Sequence, residues 1–521
     1  MQNPKIQRAV ISVSDKTGLT EFARALASRG VEIYSTGGTR LRLEEDGVPV
    51  RDVAEYTGFP EMMDGRLKTL HPKIFGGILC RRDHAADMDA LQQHAILPFD
   101  LVVVNLYPFE STVARSGVTD AEAIEQIDIG GPSLVRAAAK NHAFVTIVTR
   151  PEQYAAVLDE FQRDGCTSLE LRRRLAGEAF ARTAAYDRAI ADYFARGASE
   201  EFPAVLSPTY ERVATLRYGE NPHQRAALYR DPSATGASVV AARQVHGKEL
   251  SYNNLLDLDS ALAIVRMFSE PAASVIKHNN PCGAALGASL AEAAKKALDG
   301  DPLSAFGSVL GFNQTVDRET AKVLCEPGLF IEAIVAPDFA PEALELLTTK
   351  PKWRQNVRLM AVGDLAQAPA ARQLRPLEGG LLVQDADVLP DPEDEWKVVT
   401  NAQPTAEHWE ELRFAWSLVR HVKSNAIVVC NQRALCGAGA GQMSRVDSVD
   451  IAISKAGERV QGAVLASDAF FPFPDSIEKA GQAKIAAIIQ PGGSKNDPAV
   501  IDACNRLGLP MIFTGRRHFK H

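Results

Sequence analysis

Short apolar segments alternate with helical patterns along the N-terminal part of the chain. The segments span residues 8–14, 31–35, 100–106 and 143–149, and each is typical of a buried strand. Parallel strands need a long crossover connection, usually a helix, so the alternation predicts an α/β fold with a doubly wound parallel sheet. Ligands of such sheets bind beyond the carboxyl ends of the strands. The polar residues that follow these segments are therefore candidates for a binding site.

Two of the turns between strand and helix suit a phosphate. Residues 14–18 read Ser-Asp-Lys-Thr-Gly, and residues 36–39 read Thr-Gly-Gly-Thr. Hydroxyl and N–H groups at a helix start favour a bound phosphate, although ordinary N-capping explains either turn by itself. A P-loop is excluded because Gly-x-x-x-x-Gly-Lys is absent. A basic loop at residues 65–73 concentrates positive charge in a chain of formal net charge −8, as an anionic substrate would require.

The second half of the chain is centred on a lysine and a histidine. An apolar run at residues 272–276 predicts a buried strand, which Lys277 and His278 follow directly. Because the next residues are Asn-Asn-Pro-Cys-Gly, we expect an irregular segment there and not a continuing strand. Neighbouring strand residues point to opposite faces, so the two side chains reach one site only if the backbone bends. The alternative is a solvent-exposed pair at a strand end.

Length and composition exclude several classes of protein. The 521 residues, 46% of them apolar, predict two to four domains of an ordinary soluble protein. A boundary is predicted near residue 198, since residues 197–208 contain glycine, serine and two prolines. No membrane span and no signal-peptide core are expected. Seven scattered cysteines favour reduced thiols in the cytoplasm, and the net charge argues against nucleic-acid binding.

Two further features mark the second half. Glu332 lies inside the apolar run at residues 330–336, and an acid in such a run is either paired or functional. The strand and helix units at residues 270–340 and 420–500 are similar in layout, which indicates a duplication without an exact sequence repeat.

Nine motifs in one order carry a resemblance to a known family. They are Ser-Val-Ser-Asp-Lys-Thr-Gly from Ser12, Ser-Thr-Gly-Gly-Thr from Ser35, Gly-Arg-Leu-Lys-Thr-Leu-His-Pro from Gly65, Asn-Leu-Tyr-Pro-Phe from Asn105, Asp-Ile-Gly-Gly-Pro from Asp128, Ala-Ala-Ala-Lys-Asn-His from Ala137, Leu-Arg-Tyr-Gly-Glu-Asn-Pro-His-Gln from Leu216, Lys-His-Asn-Asn-Pro-Cys-Gly from Lys277 and Ser-Asp-Ala-Phe-Phe-Pro-Phe from Ser467. Over essentially its whole length the chain resembles the bifunctional purine biosynthesis proteins. These combine aminoimidazole-carboxamide ribonucleotide (AICAR) formyltransferase with inosine monophosphate (IMP) cyclohydrolase.

The resemblance implies the fold and the domain functions. Residues 1–198 are expected to form a methylglyoxal-synthase-like cyclohydrolase domain, and residues 199–521 a formyltransferase domain of two cytidine-deaminase-like α/β subdomains. A zinc deaminase is the first alternative, but it needs His-x-Glu and Pro-Cys-x-x-Cys, and the chain has neither around His278 and Cys282. A nucleotide-sensing N-terminal module is the second. Lys68, Tyr107, Asp128 and Lys140 argue against this second alternative, because a module that only senses phosphate would not need proton-transfer groups.

For cyclisation, the resemblance implies proton-transfer groups and a nucleotide site. Lys140 is the first choice for proton transfer, with Lys68, Tyr107 and Asp128 around it. The expected contacts to the nucleotide are Ser14, Asp15, Lys16, Thr36, Gly37, Gly38, Thr39, Arg66, Leu67, Lys68, Thr69, Val104, Asn105, Asp128 and Ile129.

For formyl transfer, His278 is expected to act as the base and Lys277 to stabilise the oxyanion. The resemblance implies nucleotide contacts from Arg217, Tyr218, His278, Gly307, Glu332, Asn425, Arg445, Phe470 and Arg517, and folate contacts from Val446, Asp475, Gly492 and Gly493. The implied co-substrate is 10-formyltetrahydrofolate. We expect no catalytic metal, no nucleic-acid or membrane partner, a cytoplasmic location and a homodimer whose formyltransferase site draws on both subunits.

Overall fold

The chain divides into two compact units, Met1–Thr209 and Tyr210–His521. The structure, a computed structural model, describes residues 3–195, 202–366 and 372–521. The boundary predicted after residue 198 lies outside the described residues and stays a prediction. Each unit is described by itself.

Unit 1 is a parallel α/β sheet with helices on both faces. Its elements are β1 Arg8–Val13, α1 Leu19–Ala27, β2 Glu32–Ser35, α2 Gly37–Glu45, β3 Arg51–Asp52, α3 Val53–Thr57, α4 Pro72–Leu79, α5 Ala85–Gln93, β4 Leu101–Asn105, α6 Phe109–Val113, α7 Asp120–Glu125, α8 Gly130–Lys140, β5 Thr146–Val148, α9 Tyr154–Asp164 and α10 Leu169–Ala195. The described strands are all parallel and lie in the order β3-β2-β1-β4-β5. The doubly wound sheet predicted from the alternating pattern is confirmed.

The strand order reverses between β1 and β4, which places a crevice at their carboxyl ends. Apolar residues fill both faces of these strands, and Val10 and Val102 are fully buried. The helices that follow β1 and β2 begin directly beyond the strand ends. The architecture therefore directs the turns singled out in the sequence toward one crevice.

Unit 2 contains one large sheet and two small hairpins. Its elements are β6 Glu211–Leu216, β7 Ala226–Arg230, β8 Arg243–His246, α11 Tyr252–Val265, β9 Ala272–Lys277, β10 Asn280–Leu286, α12 Leu290–Leu298, α13 Pro302–Ala305, β11 Ser308–Phe312, α14 Arg318–Leu324, β12 Ile331–Ala336, α15 Pro341–Thr349, β13 Arg358–Ala361, β14 Arg372–Leu377, β15 Gly380–Asp385, β16 Lys397–Val398, α16 Ala406–Val419, β17 Ile427–Asn431, β18 Ala434–Gly439, α17 Arg445–Ala456, β19 Val464–Ser467, α18 Asp475–Gln482, β20 Ala487–Gln490, α19 Asp497–Leu507 and β21 Met511–Phe513. β6 pairs with β7, and β14 pairs with β15.

The large sheet is a duplication. Its described strands number twelve, in the order β16-β21-β20-β19-β17-β18-β10-β9-β11-β12-β13-β8. Outward from the central β10–β18 pair, both sides have the same sequence of antiparallel and parallel neighbours. The duplicated layout predicted from the sequence is confirmed. We call the β8–β13 side the first repeat and the β16–β21 side the second repeat.

The segment after Lys277 differs from the prediction of an irregular segment. β9 and β10 form a hairpin whose central residues are His278 and Asn279, with φ of 50° and 65°. The chain resumes as a strand at Asn280 and carries Pro281 within it. A register shift between Pro281 and Gly283 accommodates the residue that lacks an N–H group. The backbone does bend after Lys277, through the two-residue turn, which is the condition for both side chains to reach one site.

Candidate active sites

Unit 1 has a cavity of about 500 Å³ at the point where its strand order reverses. The ends of β1 and β4 and the starts of α2 and α8 form its walls. Among its lining residues are most of those predicted for cyclisation: Ser14, Lys16, Thr36, Gly37, Gly38, Thr39, Arg66, Lys68, Thr69, Val104, Asn105, Tyr107, Asp128 and Ile129. The structure thus brings together residues from five separate motifs.

One end of this cavity suits a phosphate. No described side chain caps the first turn of α2, which leaves its N–H groups available to an anion. A Cβ atom at Gly37 would lie 3.3 Å from Lys68 Nζ, so glycine permits the ammonium to approach the helix start. Lys68 Nζ is also 3.1 Å from a carboxylate oxygen of Glu61, which in turn accepts a hydrogen bond from Thr36.

The opposite wall holds a carboxyl group suited to proton transfer. Burial raises the pKa of Asp128, while hydrogen bonds from the N–H groups of Gly131 and Tyr107 oppose the shift. The Gly131 bond is 2.7 Å long. A carboxyl whose pKa is raised, in a cavity that also contains Lys68 and the exposed Tyr107, is a candidate acid or base.

The side-chain amide of Asn105, on the cavity wall, is bonded to the loop after β1. Its oxygen accepts hydrogen bonds from the N–H groups of Ser14 and Asp15, at 2.6 and 2.9 Å, and its nitrogen donates to Asp15 O. Asn105 therefore fixes the loop between β1 and α1.

Three residues predicted for this site are not among the described residues that line the cavity: Asp15, Leu67 and Lys140. Asp15 accepts hydrogen bonds from Thr17, and the backbone of Leu67 pairs with Met62. Lys140 ends α8, whose first residue Gly130 lines the cavity. The two residues are ten positions apart along the helix, roughly 15 Å at the usual rise per residue. Lys140 instead lines a second, open cleft with Arg136, His142 and Phe180.

In unit 2, most of the predicted formyltransferase residues lie at one edge of the large sheet. Lys277 ends β9, next to the start of the antiparallel β11. Its Nζ donates hydrogen bonds to the carbonyl oxygens of Phe306 and Gly307, at 2.8 and 3.0 Å. His278 follows in the exposed hairpin turn. The first repeat thus brings Lys277, His278 and Gly307 together.

Glu332 lies at the start of β12, on the same edge. Its carboxylate accepts a hydrogen bond of 2.9 Å from Arg358 at the start of the neighbouring β13. The acid in the apolar run is therefore paired, which is one of the two alternatives the sequence left open. The pairing orients the carboxylate and leaves its second oxygen for other donors.

The second repeat contributes a buried arginine to the same edge. The Arg445 guanidinium donates to Asp468, to Ser467 Oγ at 2.8 Å and to the side-chain oxygen of Asn425 at 2.8 Å. Its side chain is 7% exposed. Arg445 thereby holds Asn425, whose amide nitrogen donates to the backbone oxygens of Gln442 and Met443.

The remaining predicted residues surround this cluster or lie apart from it. Val446 lies in the first turn of α17, after β18, and Asp475 begins α18, after β19. Phe470 follows β19, and Gly492 and Gly493 follow β20. Arg517 is exposed, with its guanidinium carbon 4.6 Å from the centre of the Phe519 ring. Arg217 and Tyr218 follow β6 and contact each other. Asn253 of α11 donates to Glu220 O nearby.

Beside the histidine turn a hydrogen bond joins the two repeats, from Lys423 N to the side-chain oxygen of Asn280 at 3.0 Å. Farther out, the predicted contacts separate. Five strand spacings lie between Glu332 on β12 and Asn425 before β17, about 24 Å at the usual spacing of strands. One nucleotide does not extend that far.

The described residues contain no group of three or more His, Cys, Asp or Glu side chains placed to hold a metal ion. Within the same residues, no helix combines the length and apolar character needed to cross a membrane. All seven cysteines are free thiols.

Several residues at the sites were missed in the sequence. Glu61 and Glu125 pair with Lys68 and Arg66 of the basic loop. Asp468 lies in the motif that begins at Ser467, and no function was predicted for it. An acid near a predicted cationic loop is the signal that could have indicated the first two, since like charges in such a loop require compensation.

Two family models match parts of the chain. The family model described as MGS-like domain matches residues 18–133. The model described as AICARFT/IMPCHase bienzyme matches residues 138–455.

Two curated relatives are similar over nearly their full lengths. The bifunctional purine biosynthesis protein PurH of Rhodopirellula baltica is 62% identical over 517 residues, which cover 99% of each chain. The protein of the same name from Bacillus mycoides is 49% identical over 515 residues, 99% of this chain and 100% of the relative. A solved structure, that of ForH, is 33% identical, covers 37% of this chain and 100% of its own, and has a TM-score of 0.34.

Proposed function

This chain belongs to the AICARFT/IMPCHase bienzyme family, and from that premise we propose that its two reactions take place at the two sites described above. The chain is a bifunctional enzyme of purine biosynthesis, with formyltransferase and IMP cyclohydrolase activities. We assign cyclisation to the cavity of unit 1 and formyl transfer to the Lys277–His278 edge of unit 2. The observation that carries the assignment is the convergence of five separated motifs on the unit 1 cavity.

Cyclisation of formylated AICAR (FAICAR) joins the carboxamide nitrogen to the formyl carbon and expels water, giving IMP. The phosphate binds at the start of α2 beside Lys68, where N–H groups and positive charge support it. The base then faces the wall that carries Tyr107 and Asp128. The attacking nitrogen must lose a proton and the departing oxygen must gain one, so the reaction needs a donor and an acceptor. We assign these roles to Lys68, Tyr107 and Asp128.

Formyl transfer moves the formyl group of 10-formyltetrahydrofolate to the 5-amino group of AICAR. That amine is a weak nucleophile, because its lone pair delocalises into the ring and the carboxamide. His278 accepts the amine proton as the new bond forms. Lys277, held by two carbonyl oxygens next to the turn, stabilises the negative charge on the formyl oxygen. The second repeat provides the folate side through Val446, Asp475, Gly492 and Gly493.

The active form is a homodimer in which one nucleotide takes contacts from both copies. The separation of about 24 Å between Glu332 and Asn425 supports this, because the residues assigned to one nucleotide are too far apart in a single chain. Seven free thiols support a reducing, cytoplasmic location.

Mixing two inactive variants tests the shared site. His278→Ala and Asn425→Ala are each expected to lose formyl transfer. AICAR binding should be largely retained in the His278 variant. If each site takes His278 from one copy and Asn425 from the other, denaturing and refolding the two together restores part of the activity in mixed dimers. Separately refolded samples, combined without exchange of subunits, serve as the control. No recovery in verified mixed dimers contradicts the shared site.

A further inference from the structure

A carboxylate with no role in the proposed reactions lies against the histidine turn. Asp257, on α11, accepts a hydrogen bond of 2.7 Å from the N–H group of Asn279. The N–H group of His278 is directed at the same carboxylate. Ser260, one turn later on the same face of α11, donates to the side-chain oxygen of Asn279. Both central residues of the turn are thereby tied to one helix.

The turn needs such support because of its backbone conformation. His278 and Asn279 both have positive φ, at 50° and 65°. Two-residue hairpins favour this geometry, which glycine and asparagine adopt most often. Positive φ is uncommon for a residue with a side chain, although histidine adopts it more readily than most. Residues held in this region persist when the surroundings fix them, and they cluster at functional sites. A catalytic side chain at such a position has its direction set by whatever holds the turn.

The second repeat contains the same device without a catalytic residue. Its hairpin has Gln432 and Arg433 at the centre, with φ of 55° and 51°. The N–H group of Arg433 donates to the carboxylate of Glu411 on α16, at 2.6 Å. Asp257 and Glu411 occupy the same position counted from the starts of their helices, Tyr252 and Ala406. This second turn lies at the opposite edge of the sheet.

Each repeat thus holds its hairpin turn with a carboxylate on the preceding helix, Asp257 in the first repeat and Glu411 in the second. In the first repeat, the turn held in this way carries the catalytic histidine. We propose that Asp257 is a positioning residue for formyl transfer: it fixes the direction of the His278 side chain and places a negative charge beside the imidazolium that forms when His278 accepts the proton of the amine. The inference rests on the proposed role of His278. The proton passes from the substrate amine to the imidazole and then to the departing folate nitrogen, and Asp257 keeps its charge throughout.

The surroundings of Asp257 agree with that role. Burial raises its pKa, whereas the hydrogen bonds from Asn279 and His278 and the charges of His278 and Lys277 oppose the shift. The carboxylate is therefore a partly buried charge whose partners are all on the catalytic hairpin. The corresponding Glu411 has its pKa raised by burial, with Arg433 as the opposing partner.

The test compares Asp257→Ala and Asp257→Asn with Glu411→Ala and Glu411→Gln, all in the full-length enzyme. Loss of alignment should lower kcat of formyl transfer by roughly 10²-fold in Asp257→Ala, with KM for AICAR little changed. Asp257→Asn keeps an oxygen acceptor but loses the charge, so it should fall between Asp257→Ala and wild type. The Glu411 variants should lower the melting temperature by about as much as the Asp257 variants do, but they should leave kcat of formyl transfer near wild type. Cyclohydrolase activity of the same samples reports folded, active enzyme.

Two results overturn the inference. The first is wild-type kcat in Asp257→Ala while His278→Ala is inactive. The second is an equal loss of kcat in Asp257→Ala and Glu411→Ala, which would assign the acid to stability. Wild-type formyl transfer in His278→Ala would instead remove the proposed function of the histidine, and this inference with it.

Discussion

Of the two lysines predicted to act in cyclisation, Lys68 lines the unit 1 cavity and Lys140 does not. Lys68 lies in the cavity against the start of α2, and Lys140 lies at the far end of α8 in another cleft. We therefore expect Lys68→Ala to lower cyclohydrolase kcat by ~10²–10⁴-fold, the usual effect of removing a proton-transfer group. Lys140→Ala should lower the same kcat by a smaller factor. Steady-state cyclisation of FAICAR without folate measures both, and the opposite ranking would return the role to Lys140.

Tyr186 supports the loop that carries Asp128. Its buried hydroxyl accepts a hydrogen bond from Asp128 N and donates one to Gln126 O, both 2.8 Å. Burial raises the pKa of Tyr186 to about 12, so the group stays protonated. Tyr186→Phe leaves both backbone groups unpaired, which should cost ~1–3 kcal/mol of stability and reduce cyclisation.

Tyr154 provides the matched control for that substitution. It is also buried in unit 1, but its hydroxyl has no hydrogen-bond partner within the described chain. Tyr154→Phe should leave both the denaturation midpoint and the cyclohydrolase rate near wild type. Equal effects of the two substitutions would mean that the Tyr186 hydrogen bonds do not matter.

Residues that follow strands could be predicted from the sequence, and residues that act through long-range contacts could not. Thr36 and Lys68 were singled out because the turn after a predicted strand and the basic loop favour a phosphate, whereas Asp128 was named through the family resemblance. Asp257 and Tyr186 were missed because their partners are distant along the chain, and neither lies in a turn. Lys140 was also named through the resemblance, and the length of α8 places it away from the cavity.

At the level of elements, the strand at Asn280–Leu286 is the clearest error. Asparagine and proline are rare inside strands, so the local sequence favours an irregular segment. The register shift at Pro281 and the pairing of β10 with both β9 and β18 override that preference. The longest helix of unit 1, α10, runs through a stretch of sequence that contains no proline and one glycine, Gly177.

The C-terminal segment after β21 is held by a buried histidine. The ring of His518 contacts the carboxylates of Asp387 and Asp391, at 2.6 and 3.1 Å, and Asp391 also pairs with Arg420. Burial opposes the charged form, but the two carboxylates outweigh it and raise the pKa of His518 above its ordinary 6.5. The stabilisation that follows from a raised pKa is complete below that ordinary value and is lost as pH rises through the folded-state value.

We therefore expect the melting temperature of unit 2 to fall as pH rises above 6.5, more steeply in wild type than in His518→Gln. Calorimetry across that range, with ionic strength held constant, measures the difference. The substitution removes the titrating group and keeps a side chain able to form a hydrogen bond. Parallel curves for the two proteins would mean that His518 does not contribute to the pH dependence.

At the level of the whole molecule, the duplicated sheet explains why one edge collects the formyltransferase residues. The repeats are antiparallel about the β10–β18 pair, so the end of β9 and the ends of β19, β20 and β21 lie on the same edge. The first repeat supplies the reacting pair, and the second supplies the cluster around Arg445. The sequence indicated the duplication, but pairing across its centre depends on contacts between residues far apart in the chain.

In the proposed function, two separate sites carry the two activities. The decisive experiment assays AICAR formylation and FAICAR cyclisation on the same folded preparations of full-length Lys68→Ala and His278→Ala. We predict that Lys68→Ala loses cyclisation and keeps formyl transfer, and that His278→Ala does the reverse. Loss of both activities in either variant, with an unchanged melting temperature and oligomeric state, would contradict the account.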